Sequence, residues 1–192
     1  MGTIRAFIAF DTPAPIKEAM SQTQSRLKEF KAEVRWEPPA KFHATIKFLG
    51  DVQDEMVPPV TRQIEMVVAR FPPFNVVYCS MGVFPTKRRP RVIWIGCEDA
   101  DGVIIGLKQA LDTALRPHGF PVEERPFHPH ITLGRVNGER GITDLLSNLE
   151  SLNFTPLSAR VERILLMKSR LKPQGSEYSI VTSIPLTETK HA

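Results

Sequence analysis

Cysteine is scarce in this chain: its 192 residues include only Cys79 and Cys97. Two unpatterned thiols exclude a disulfide framework and suit a reducing compartment, so a cytoplasmic protein is expected. No apolar run approaches the length that spans a bilayer, and the N-terminus lacks the basic-then-apolar order of a signal peptide. Met1-Gly2 opens like a myristoylation site, but Ala6 stands where that motif needs Ser or Thr. Charge of one sign is barely in excess: 25 basic against 21 acidic residues leave a net charge of +4, compatible with a polyanionic ligand without requiring one. The Gly-x-Ser-x-Gly nucleophile turn and the Gly-x-x-x-x-Gly-Lys phosphate loop are both missing, as is any known Cys–His nucleophile signature. What remains is a soluble chain, expected to be monomeric, with 42% apolar and 24% charged residues and enough length for a proper core.

Proline is abundant, at 17 residues, and falls mostly between the periodic segments. Alternation predicts strands over residues 3–11, 34–36, 42–49, 74–84, 91–97, 130–136, 161–170 and 178–186. Helical spacing predicts helices starting at Pro13 and Pro15 and over 59–70, 101–115 and 143–149. Gly50-Asp51 is expected to end the third strand, Gly119 to mark the end region of the third helix, and residues 172–175 to form the last turn. The expected loop 85–90 carries the densest basic cluster.

One pattern occurs twice: His43-Ala44-Thr45-Ile46 and His130-Ile131-Thr132-Leu133. Both copies fall in predicted strands, where side chains two apart share a face. Phe42, Ala44, Ile46 and Phe48 should therefore face the core, and His43, Thr45 and Lys47 the other side. A lone strand histidine is more often a hydrogen-bonded structural residue. Only five histidines exist, however, and two recur in one three-residue context, about half a chain apart. A weak internal duplication follows, with no long linker between the halves.

Two imidazoles facing one cleft can give and take a proton, as metal-free phosphodiester hydrolysis requires. Thr45 and Thr132 add hydroxyls able to donate to non-bridging phosphate oxygens as charge develops, although Thr also suits a strand for its own sake. His128 and His130 could chelate a metal, but no third ligand is spaced to join them and Pro129 disturbs the strand; no metal and no cofactor are expected. Lys87, Arg88, Arg89 and Arg91 form either a solvated loop or contacts to phosphates and bases beyond the reacting group. Arg135 and the segment Lys168-Ser169-Arg170 are further candidates to line the cleft.

Trp36-Glu37-Pro38-Pro39, Phe42 to Gly50 and Arg125 to Arg135 closely resemble the 2H phosphoesterase superfamily. Within it the chain resembles the RNA 2′,3′-cyclic phosphodiesterase branch, also called 2′-5′ RNA ligase. Arg5 to Asp11, Arg89 to Trp94 and Ser169-Arg170-Leu171 fit that branch too, so the resemblance spans nearly the whole chain. It implies an α+β, bilobal fold over residues 1–192 as one domain: two antiparallel sheets facing a central cleft, helices outside, and a pseudo-twofold duplication. It also implies the roles: His43 as proton donor to the leaving 3′ oxygen, His130 as the base that activates water, Thr45 and Thr132 as phosphate-binding residues. The implied partner is RNA with a 2′,3′-cyclic phosphate terminus or a related nucleotide, and the product an RNA 2′-phosphate. Left open are a small cyclic nucleotide, an ADP-ribose cyclic phosphate or a 2′-5′ oligonucleotide as substrate, weak reverse ligation, and a non-catalytic RNA- or nucleotide-binding module.

Overall fold

Alternating burial sorts the chain into strands that give one side chain to a core and the next to a cleft. The computed structural model describes residues 2–149, 151–172 and 175–188. Its strands are β1 (Thr3–Asp11), β2 (Val34–Trp36), β3 (His43–Gln53), β4 (Phe74–Thr86), β5 (Arg89–Glu98), β6 (His130–Val136), β7 (Leu157–Val161), β8 (Arg163–Lys172) and β9 (Gly175–Pro185). The helices are α1 (Ala14–Lys28), α2 (Val57–Val68), α3 (Val103–Leu115) and α4 (Ile142–Leu149).

The strands pair antiparallel in the order β7-β4-β5-β6-β3-β1-β8-β9, with β2 added on β6. Between β6 and β3 the ladder narrows to one pair, Ala44 with Ile131. The expected two sheets are thus two wings joined at one point and curled into a half-barrel. One wing (β3-β1-β8-β9) is built from both ends of the chain and the other (β6-β5-β4-β7) from its middle. Helix stripes such as Met20, Ile64, Leu107 and Leu145 join Ala44, Ile46, Ile131 and Leu133 in one core cluster. Each of the larger side chains among them contributes about 1.5–3 kcal/mol of apolar burial. The prolines expected to introduce α1 stand at its first turn, and Gly119 (φ +88) closes the 3-10 turn that follows α3.

Three features differ from the sequence reading. β3 does not end at Gly50-Asp51 but runs to Gln53: Leu49 is left unpaired and Gly50 takes φ +71, so the strand bends and continues. The basic loop is shorter than 85–90, because β4 and β5 stay paired out to Thr86 and Arg89. β7 was not anticipated; it is only five residues long and only Val161 is fully buried, so its alternation spans too short a run to stand out. The turn expected at 172–175 includes Pro173 and Gln174, which lie outside the described residues. Among the described residues no helix is long and apolar enough to cross a membrane, which says nothing of β-barrels.

Candidate active site

The site forms where the two wings meet. Ala44 and Ile131 both point into the core at 0% exposure. Their strand neighbours His43, Thr45, His130 and Thr132 must then stand on the opposite, cleft-facing side, and all four are half-buried. Extending the pair by one residue each way sets His43 beside Thr132 and Thr45 beside His130. The histidines are diagonal neighbours, and such positions lie about 7–8 Å apart in an antiparallel pair. The two rings are near enough for the charge of His130 to act on His43.

Each motif ends in a β-bulge. Opposite β1, Thr45 pairs with Ala9 and Lys47 with Ile8, leaving Ile46 without a partner. Opposite β5, Thr132 pairs with Trp94 and Gly134 with Ile93, leaving Leu133 without one. The extra residue reverses the side-chain phase. Lys47, expected beside His43 and Thr45, is therefore buried at 1% exposure, while Phe48, expected in the core, is 61% exposed on the cleft side. The burial pattern of His43–Phe48 is repeated position for position over His130–Arg135. Phe48 and Arg135 thus occupy equivalent places, five residues after each histidine.

Both rings are tied to the backbone two residues earlier. His130 Nδ1 lies 2.7 Å from the carbonyl of His128; because a carbonyl only accepts, this nitrogen carries the proton and Nε2 is left for chemistry. His43 makes the corresponding hydrogen bond to the backbone of Lys41. Burial pushes His43 down to about 4, and the Lys41 bond and the charge of Asp11 only partly oppose it. Asp11 is the strand partner of His43 and is held by Lys17 at 2.7 Å. Burial also lowers His130, against the His128 bond, with the charges of His128 and Arg135 adding to the lowering.

Aromatic rings frame each histidine. Phe7 stacks on His43 at 5.0 Å and Tyr178 meets it edge-on at 5.1 Å. Phe84 meets His130 edge-on at 5.0 Å and stacks on Trp94, which in turn contacts His128 at 4.7 Å. Sequence reasoning missed these four neighbours. Phe7 and Trp94 did leave a signal, as apolar residues in the out-of-phase positions of β1 and β5; Phe84 and Tyr178 left none. A cavity of about 370 Å³ opens beside His43, with Asp11, Lys17, Met167, Tyr178 and Ile180 in its lining.

The basic candidates are placed unevenly. Lys87 and Arg88 form the tip of the β4–β5 hairpin, beyond Phe84, with Arg89 and Arg91 exposed on β5. Arg135 stands on the cleft side, its Nε 3.4 Å from Glu37 Oε1. Among the described residues no group of three or more His, Cys, Asp or Glu is arranged to hold a metal ion.

The sequence model of the family described as LigT like phosphoesterase matches residues 10–94 and again 95–178, once in each half. An RNA 2′,3′-cyclic phosphodiesterase of Methanothermobacter thermautotrophicus is 32% identical over 179 residues, covering 92% of this chain and 95% of that protein. A second, of Thermotoga maritima, is 32% identical over 178 residues, covering 93% of each. Among solved structures, a Thermus thermophilus protein superposes with a TM-score of 0.80 at 25% identity, over 97% of this chain and 100% of that one. E. coli LigT complexed with 3′-AMP gives 0.74 at 25% identity over the same shares.

Proposed function

The chain belongs to the LigT-like phosphoesterase family, and from that premise we propose that it opens 2′,3′-cyclic phosphates at RNA ends to 2′-phosphates. It is a hydrolase of cyclic phosphodiesters; the substrate's RNA body, the product end and the residue roles are our reading. The observation that carries this reading is the repeated frame: two His-x-Thr strands, each ending in a bulge, and each histidine tied to the backbone two residues before it.

In this mechanism Thr45 and Thr132 donate hydroxyl hydrogen bonds to the non-bridging oxygens and hold phosphorus between the rings. His130 Nε2 takes a proton from water as water attacks phosphorus. His43 gives a proton to the departing 3′ oxygen in line with that attack, and the phosphate stays on O2′. Each proton transfer accounts for about 10²–10⁴ in rate. An acid at His43 must be protonated, and burial holds it at about 4 in the protein alone; the negative phosphate brought by the substrate favours the charged ring. Water is the nucleophile in hydrolysis, and a 5′ hydroxyl in its place gives reverse 2′-5′ ligation. That side reaction needs the second RNA end held at high effective concentration.

We take residues 1–192 as one monomeric, bilobal unit, because each wing supplies half of the site. E. coli LigT forms crystal complexes with 3′-AMP, ATP and NADP+, which supports a nucleotide in this cleft. The deciding experiment incubates the protein, with EDTA present, with a short RNA ending in 2′,3′-cyclic phosphate. Conversion to a 2′-phosphate end, lost in His43→Ala and in His130→Ala, supports the reading. No turnover of the RNA, with turnover of small cyclic nucleotides, overturns the RNA assignment. Tight RNA binding with no cleavage of any cyclic phosphate overturns catalysis.

A further inference from the structure

Lys47 is a charged residue inside the motif strand, yet it does not face the cleft. The bulge at Ile46 turns it inward, where its side chain is 0% exposed. Its Nζ donates to Asp112 Oδ1 of α3 at 2.6 Å and to the carbonyl of Pro121 at 2.7 Å. Burial pushes the Asp112 carboxyl up, but hydrogen bonds from Lys108 and Lys47, with their charges, hold it below its ordinary range. Lys108 bonds the second carboxylate oxygen, lies 3.6 Å from Glu123, and sits over the Phe127 ring at 5.7 Å.

These contacts form a continuous path across the molecule. It starts on the strand of His43, crosses α3, and ends on residues 121–127, the run-in to His130. Phe127 directly precedes His128, whose carbonyl accepts the Nδ1–H of His130. The other wing has a counterpart. Gly134 stands where Lys47 stands, and the run-in to His43 docks there: β2 pairs with β6, and Glu37 N–H donates to Leu133 at 2.9 Å. Each catalytic strand therefore holds, just past its bulge, the segment that delivers the other histidine.

We propose that Lys47 is a positioning residue for His130: through Pro121, Asp112, Lys108 and Phe127 it fixes the run-in that sets the ring's backbone anchor. A buried charge with two carboxylates, a carbonyl and a ring on its path has a defined geometry, whereas an apolar side chain there would fill space without direction. The proposal rests on the functional reading for its kinetic effect but not for its structural one.

The test is a double-mutant cycle with Lys47→Met, which keeps the side-chain length and leaves Asp112 its bond from Lys108. We expect kcat to fall about ten- to hundredfold with KM within about twofold, as for misplacement of a catalytic group. In a His130→Ala background the same change should cost nothing further, because the ring it positions is gone. Equal losses in both backgrounds, or no loss in either, overturn the proposal. Should Lys47→Met melt below the assay temperature, Lys108→Met carries the same cycle, since it cuts the path from Asp112 to Glu123 and Phe127 while leaving Asp112 its bond from Lys47. Ring 15N shifts of His130 give a readout without turnover: a single Nδ1–H tautomer in the wild type and a mixture in Lys47→Met. An unchanged tautomer overturns the proposal even if no cyclic phosphate is ever hydrolysed, so its failure is separable from failure of the functional reading.

Discussion

The strand bearing His43 and the strand bearing His130 repeat one burial pattern over six residues, yet they are buttressed by opposite chemistry. Past the bulge of β6 stands Gly134, where an added Cβ would lie 2.6 Å from Val34 Cγ1 and 2.9 Å from Trp36 Cε3. The support there is backbone pairing with an indole pressed onto bare main chain. Past the bulge of β3 stands Lys47 with its buried ionic cluster. Symmetry is thus kept in the reacting groups and released in what holds them. In the proposed mechanism the two halves need the same geometry at the phosphate, but each must accept a different neighbouring segment.

The largest difference to impose on this near-symmetry is loss of one ring. His43→Ala and His130→Ala should each lower the hydrolysis rate of a cyclic-phosphate RNA by about 10²–10⁴, with unchanged far-UV circular dichroism. If one of them leaves the rate intact, the halves are not chemically paired. A stability measurement separates the rings further. Burial holds His43 at about 4, below its value of 6.5 in the unfolded chain. Between those pH values the unfolded chain binds a proton at this ring that the folded protein does not. The stability it contributes is present above pH 6.5 and lost as pH falls towards 4, about 3 kcal/mol in all. Urea melts across that range should steepen accordingly, and His43→Gln should flatten them.

Thr45→Val and Thr132→Val remove one hydroxyl each and should cost similar factors, roughly 100-fold in kcat; an unequal pair would show that one wing carries the phosphate. Gly134→Ala probes the supports. Its methyl group must displace Val34 and Trp36, so thermal or urea unfolding should show a loss of about 1–3 kcal/mol. The smallest effect belongs to the exposed hairpin. Arg88→Ala should raise KM for RNA by about a factor of two at physiological salt and leave a mononucleotide cyclic phosphate unaffected. Equal effects on both substrates would place the hairpin at the reacting group.

The two His-x-Thr strands were legible because two identical short motifs can be compared with each other inside one sequence, and strand periodicity then gives a shared face. The strand reading held through Ile46, the bulge residue, and failed from Lys47 onward. An extra, unpaired residue leaves no mark in composition: Ile46 and Leu133 are good strand residues and look like regular ladder members. From that point the phase inverted, so Lys47 was assigned to the cleft and Phe48 to the core. Phe84 and Tyr178 were equally hidden, since only curling of the sheet carries β4 to His130 and β9 to His43.

By itself the sequence determined most of the elements, the duplication and the pairing of an imidazole with a hydroxyl on each of two strands, all of which depend on short-range periodicity and on residue type. Tertiary structure alone decided how the motifs face one another, which ring nitrogen stays free, and which charge is buried. Those outcomes depend on strand register and bulges, on the single pair that joins the wings, and on contacts between segments far apart in the chain. Local side-chain preferences do not specify any of these.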